Sequence, residues 1–236
     1  MAILNQPEVL ADFERDGFAR IHNPFTQTQI DSLSEAIESF RESQNSVMAA
    51  GFRNLLKQCQ GVRRIAESKE IREIVEPLQG KKTKPVRSIF FDKTPASNWY
   101  VTWHQDLSIA VERRIETEGY GPWSLKDGTV HTQPPKEILE SIVSLRIHLD
   151  ECPEENGAIK FIAGSHRDGI FKPAEIAECL KGKTSIACPA ERGDIILMRP
   201  LILHSSSKSI KPGHRRVLHL EFSAAILPNG LSWTES

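Results

Sequence analysis

No two cysteines of the 236-residue chain stand as a C-x-x-C pair; Cys59, Cys152, Cys179 and Cys188 are scattered. That spacing offers neither a zinc knuckle nor a dense disulfide scaffold, so reduced, structural thiols are expected. No apolar run approaches the roughly 18 to 20 residues of a membrane span. The opening MAILNQPEVLADFERDG lacks the basic and apolar regions of a signal peptide, and a cytosolic protein is expected. Charge of one sign is also missing: 30 Lys and Arg against 31 Asp and Glu leave −1. Such a chain has no overall field to hold nucleic acid or an anionic membrane. Internal repeats and low-complexity tracts are absent as well.

What remains is a soluble globular composition, 39% hydrophobic and 26% charged, with a mean hydropathy of −0.35. The length suits one domain over residues 1–236. Residues 1–83 read as mainly helical cover. In 26–43 the apolar residues Ile30, Leu33, Ile37 and Phe40 recur at helical spacing, with Thr26 or Thr28 as the cap. Further helical stretches are expected at 51–59 and 62–75, the latter stopped by Pro77 and Gly80. From Lys84 onward the pattern changes to short strand-like runs at 86–91, 99–103, 142–149, 158–162, 185–188, 194–198 and 216–222. Strands without regular helices between them point to a sandwich, jelly roll or barrel. The stretch 110–135, with Gly-Tyr-Gly-Pro-Trp and Pro-Pro, reads as an irregular insertion that suits a lid or binding loop.

Two segments carry chemistry. In the run from Trp99 to Asp106, His104 and Asp106 lie two apart, so an extended backbone turns both side chains to one face and one metal. Alone, a His-x-Asp triplet is unspecific. The second segment launches an apolar strand at Gly193-Asp194 that runs to His204, followed by Ser205 and Ser206. Arg215 comes eleven residues later, and a turn at Lys211-Pro212-Gly213 would return its strand beside the one bearing His204. Two His and one carboxylate on a β scaffold match the facial triad of non-heme Fe(II) oxygenases, which leaves coordination positions free for a cosubstrate and O2. Arg215 supplies a permanently charged fork for a distal carboxylate, and Ser206 a hydroxyl beside it. The expected cosubstrate is a dicarboxylate.

The ordered set His104-x-Asp106, His204, Ser206 and Arg215 resembles the phytanoyl-CoA dioxygenase family. The run from Leu145 through Asn156-Gly157 to Gly164-Ser165-His166 looks like that family's strand, acidic turn and Gly-Ser-His segment, and Phe13-x-x-Asp16-Gly17-Phe18 like its opening. The resemblance implies a double-stranded β-helix (jelly roll, cupin-like), mainly β with helical cover. It also implies an Fe(II)- and 2-oxoglutarate-dependent dioxygenase that uses O2 to oxidise a small molecule. Carried over, His104, Asp106 and His204 would bind iron, and Arg215 and Ser206 the distal carboxylate of 2-oxoglutarate. Gln105, Lys93 and Arg146 are counted with the cosubstrate pocket. Arg146 stands where the founding members have an aromatic residue, which argues for a more polar centre and against a lipid-like substrate.

Other residues have plainer readings. His148 and His219 are expected to be internal polar groups, His166 part of a turn, and Arg216 to face away from Arg215. Trp99 and Trp123 either pack in the core or wall a substrate cavity. The basic group Lys81, Lys82, Lys84 and Arg87 is either a solvated linker or a phosphate contact. Competing functions are a ligand-binding protein on the same scaffold, a desaturase or cyclase variant, and a zinc hydrolase that would leave Arg215 without a role.

Overall fold

A computed structural model describes residues 7–44, 51–210 and 213–236. The chain opens with α1 (Pro7–Asp16), β1 (Phe18–Ile21) and α2 (Gln27–Ser43). Thr26 caps α2 in a reciprocal box with Gln29, and Ile30, Leu33 and Ile37 form its buried face. The segment expected to be a helix at 51–59 instead begins with β2 (Gly51–Arg53) and only then turns into α3 (Leu55–Gln58). The helical pattern at 62–75 is broken into α4 (Gln60–Ala66) and α5 (Lys69–Gln79), because Ser68 caps a new start. Pro77 does not stop α5; Gly80, at φ +65°, ends it.

Next come β3 (Lys84–Lys93), β4 (Val101–His104), β5 (Ile109–Val111), β6 (Trp123–Lys126), β7 (Thr129–Thr132), α6 (Lys136–Glu140) and β8 (Ile142–His148). The chain continues through β9 (Ile159–Phe161), α7 (Pro173–Cys179), β10 (Ile186–Cys188), β11 (Ile195–Met198), β12 (His204–Ser206) and β13 (Arg215–Ser223). Two antiparallel sheets result, β1-β11-β8-β13-β3-β2 and β10-β9-β12-β4. They face each other across Ile159, Phe161 and Cys188 of the smaller sheet and Ile196 and Met198 of the larger. The larger sheet's other face, with Leu145, Ile147, Ile195, Leu197, Leu218 and Leu220, packs under the helices. Period-two alternation thus sends one residue set to the helices and the next into the space between sheets. This is the expected jelly roll with helical cover, to which β1 and β2 add edge strands.

Three expectations are corrected. The stretch 110–135 is only partly irregular: 112–122 has neither helix nor strand, but β5, β7 and β6 form a third antiparallel sheet, closed by a tight turn at Asp127 (φ +49°) and Gly128 (φ +74°). An Asp-Gly pair between alternating residues is a hairpin signal. The apolar strand from Asp194 stops at Met198, and the chain turns at Arg199–Pro200 before β12 starts in the other sheet. The strand bearing Arg215 does not pair with the strand bearing His204; β13 joins β3 and β8, while β12 joins β4 and β9. Lys211 and Pro212 of the expected turn lie outside the described residues. Among the described residues no helix is long and apolar enough to cross a membrane.

Two of the quoted motifs meet away from the cavity. Gly164 N donates to Asp16 O at 2.8 Å and Arg199 N to Gly17 O at 2.8 Å. Gly17, at φ +83°, lies against the His166 ring, where a side chain would collide.

Candidate functional site

The metal-ligand geometry follows from the pairing of β4 with β12. His104 and His204 are directly opposed across that ladder, which brings their ring centroids to 4.2 Å. Just past β4, Asp106 N donates to Pro200 O at 2.9 Å and fixes the carboxylate between them. Asp106 Oδ1 is 3.8 Å from His104 Nε2, and Oδ2 is 3.8 Å from His204 Nε2. One ligand atom from each of the three lies within 4.8 Å of the others.

The tautomers follow as well. His104 Nδ1 lies 2.8 Å from Thr102 O and His204 Nδ1 2.9 Å from Ile202 O. A carbonyl only accepts, so each Nδ1 carries the proton and each Nε2 turns a lone pair toward Asp106. Burial pushes the His204 pKa down to about 4 and keeps the ring neutral. Two neutral imidazoles and one carboxylate, freed of other duties, fit a divalent iron.

Facing this triad, the larger sheet contributes a cluster of cations. The cavity of about 170 Å³ is lined by Lys93, Arg146 and Arg215 as well as the triad, with Trp99 and Phe91 as aromatic walls. Lys93 is the register partner of Arg215 on β3 and β13. Its Nζ donates to Ser206 Oγ at 3.1 Å and Ser207 O at 3.0 Å, and lies 5.2 Å from the Trp99 ring. Burial, then Arg215 and Arg146, push the Lys93 pKa down to about 7. Arg215 Nη1 donates to Gly157 O and, at 3.3 Å, to Asn156 O, while its buried Nε finds no partner among the described residues. Arg146 rests over the Phe91 ring at 5.6 Å with its own Nε unpartnered, and burial lowers its pKa to about 10. None of these three cations has a carboxylate partner within 4 Å among the described residues. Lys93 and Arg215, side by side at Ser206, fit one carboxylate of a dicarboxylate, while Arg146 stands apart over Phe91.

A larger pocket, of about 620 Å³, lies between α2 and α4 and holds none of the expected site residues. The chemistry decides for the smaller cavity. A family model described as phytanoyl-CoA dioxygenase (PhyH) matches residues 13–217. The chain belongs to the phytanoyl-CoA dioxygenase family. It is 22% identical over 171 residues to phytanoyl-CoA dioxygenase domain-containing protein 1 of Danio rerio, covering 66% of this chain and 50% of that protein. The chain therefore spans about half the length of that curated relative. Among solved structures, the non-heme alpha-ketoglutarate-dependent carbocyclase SnoK from nogalamycin biosynthesis is 14% identical. It superposes with a TM-score of 0.75 over 100% of this chain and 88% of that one. HygX from Streptomyces hygroscopicus, solved with nickel and 2-oxoglutarate, is 16% identical with a TM-score of 0.70 over 93% and 87%. At these identities the superpositions establish the shared fold.

Not every expected site residue of this phytanoyl-CoA dioxygenase family member reaches the cavity. Gln105 does not line it. The residue between His104 and Asp106 points the other way, and its side chain clips two loops together: Nε2 donates to Gly169 O (2.8 Å) and Leu201 O (2.6 Å), and Oε1 accepts from Phe171 N (2.8 Å). Trp123 also lies elsewhere, on β6 against the core formed with Val111, Leu139 and Trp233, with Arg114 5.7 Å from its ring. His148 is buried beneath the cations and burial holds it neutral, its pKa down to about 3. Arg216 forms a two-pronged pair with Asp150 on the opposite face from Arg215. Of the basic group, Lys82 and Lys84 line a separate groove, while Arg87 enters the cavity.

Arg87, His219 and Glu221 are cavity residues that reading the sequence for motifs missed. Glu221 Oε1 accepts from Arg87 Nη1 at 3.0 Å and lies 3.3 Å from His219 Nε2. The signal was alternation: once Arg215 faces inward, residues 217, 219 and 221 of the same strand face inward too.

Proposed function

We propose that this chain is, over residues 1–236, one Fe(II)- and 2-oxoglutarate-dependent dioxygenase domain that hydroxylates a small molecule. The observation carrying this reading is that a two-His, one-carboxylate triad and three cations with no carboxylate partner among the described residues share one small cavity. A metal binder alone does not need the cations, and a zinc hydrolase gives them no task.

His104 Nε2, Asp106 and His204 Nε2 hold the iron. Arg215, Lys93 and Ser206 take the distal carboxylate, with Trp99 closing the side of Lys93. Enclosure by Phe91, Val101 and Ile159 keeps water from the reacting end. When bound, iron(II) and 2-oxoglutarate turn O2 into an oxidant for unactivated C–H bonds, with succinate and CO2 as coproducts and one oxygen atom delivered to the substrate. The chain's own residues position the partners, and Asp106 keeps its charge throughout. The carbocyclase activity named for SnoK supports ring closure as a second outcome at such a centre. The four free thiols support action in a reducing, cytosolic setting.

The test is succinate release from 2-oxoglutarate under air with iron(II), in wild type, Asp106→Ala and Arg215→Ala. Metal- and cosubstrate-dependent release lost in both variants supports the reading. Release that persists in Asp106→Ala, or none in a folded, metal-loaded wild type, contradicts it.

A further inference from the structure

The cavity walls carry four cations, Arg87, Lys93, Arg146 and Arg215, against two carboxylates, Asp106 and Glu221. Arg87 and Glu221 cancel in a buried pair 3.0 Å apart. Arg146, Arg215 and, below pH 7, Lys93 then share Asp106 alone. Iron(II) and the 2-oxoglutarate dianion of the proposed function carry equal and opposite charge, so loading the site leaves the positive excess in place. Uncompensated charge in an enclosed site is costly, and a like-charged wall draws the opposite ion to it.

Arg146 is the cation with the least to do. Arg215 and Lys93 bracket Ser206 and Ser207, whereas Arg146 sits on β8 opposite His219 and Ile196. Its guanidinium lies over Phe91, and its enclosed Nε has no partner among the described residues. The cavity itself, at about 170 Å³, falls below the roughly 300–1,000 Å³ of pockets that enclose whole drug-sized ligands. It has room for the cosubstrate and the reacting end of a substrate, not for a long acyl chain.

Resting on the proposed oxygenase reading, we infer that the primary substrate is a small anion, its carboxylate or phosphate met by Arg146 within the cavity. The test uses four probes of one size: benzoate, phenyl phosphate, benzyl alcohol and benzylamine. Each is titrated calorimetrically, under argon, into protein loaded with iron(II) and 2-oxoglutarate, with the visible iron-to-2-oxoglutarate charge-transfer band recorded in the same sample. The expected result is saturable binding of at least one anion, at least tenfold tighter than the neutral or cationic probe. The preference between benzoate and phenyl phosphate then separates carboxylate from phosphate. Arg146→Gln weakens anion binding at least fivefold while the 2-oxoglutarate affinity changes by less than threefold. Equal binding of all four probes, or no anion binding by protein that shows the band, overturns the inference. A fall in 2-oxoglutarate affinity in Arg146→Gln as large as the fall in anion affinity overturns the role of Arg146. Should Arg146→Gln fail to fold, the four-probe comparison on wild type still decides between an anionic and a neutral substrate. A missing band in wild type defeats the oxygenase reading itself and this inference with it.

Discussion

His104 and His204 oppose each other across the β4–β12 ladder, and each ring is locked by its Nδ1 proton to the carbonyl two residues before it. The backbone itself thus sets both tautomers, without help from a carboxylate partner. The rings are aimed before any metal arrives, and Asp106 completes the third corner from a backbone held by Pro200. Removing Asp106 leaves two imidazoles and no charge, and removing His204 leaves one imidazole and the carboxylate. Asp106→Ala or His204→Ala is expected to weaken iron binding by at least about 100-fold, at the upper end of what mutation around a metal site costs. Metal titration of the folded variants checks this, and near-normal affinity in either contradicts the assignment.

In the proposed cosubstrate site Arg215 is the permanent half of the distal anchor. Its replacement by Leu removes charge-assisted hydrogen bonds worth about 1.5–3 kcal/mol, or roughly 10- to 150-fold in the 2-oxoglutarate dissociation constant. The metal affinity is expected to stay near wild type. An unchanged cosubstrate affinity removes Arg215 from the site.

Lys93 is the titrating half. With its pKa pushed down to about 7 by burial beside Arg215 and Arg146, the ammonium is charged below pH 7 and neutral above it. Binding a carboxylate at higher pH must then take up a proton, so the 2-oxoglutarate dissociation constant should rise as pH climbs through 7, by up to about tenfold per pH unit. Lys93→Arg should flatten that rise. A wild-type affinity that is constant from pH 6 to 8.5 refutes the arrangement.

Gln105 lies between two residues of the proposed iron triad yet serves the fold. Gln105→Leu leaves Phe171 N, Gly169 O and Leu201 O without their partner. The expected cost is about 2–4 kcal/mol of stability, read as a lower Tm, with 2-oxoglutarate affinity of the folded protein within threefold of wild type. A stable variant with poor cosubstrate binding would return Gln105 to the pocket.

Gly157 bears on the anchor from below. It sits at φ +74°, and a Cβ there would run into Ser207 O and come within 3.1 Å of Arg215 Nη1. Gly157→Ala is expected to cost roughly 1–3 kcal/mol and to raise the 2-oxoglutarate dissociation constant as Arg215 is displaced. Chemical denaturation and cosubstrate titration of the same variant measure both.

The parts of this site legible in the sequence were those set by local spacing or by an ordered motif. His104-x-Asp106, His204, Ser206 and Arg215 all arrive in one cavity, as does Lys93 just before the metal strand. What the sequence hid was long-range pairing. Nothing local says that the chain breaks at Arg199–Pro200 and changes sheets, so β12 and β13 looked like neighbours when they face each other across the cavity. Gln105 went astray for a related reason: strand alternation, which puts His104 and Asp106 on one face, sends the residue between them to the other. The hairpin in 110–135 was readable from Asp127-Gly128, but Gly-Pro punctuation around Trp123 outweighed it. Arg87 was read with the lysines around it, although its inward direction follows only from the register of β3 against β13.

Iron and 2-oxoglutarate binding at this cavity is tested most directly by anaerobic titration of the metal-free protein with iron(II) and then 2-oxoglutarate, watching for the visible metal-to-ligand charge-transfer band. A band that saturates with one equivalent of each, disappears in Asp106→Ala and needs far more 2-oxoglutarate in Arg215→Ala is expected. Folded, iron-loaded wild-type protein that develops no band, or a band indifferent to both substitutions, contradicts it.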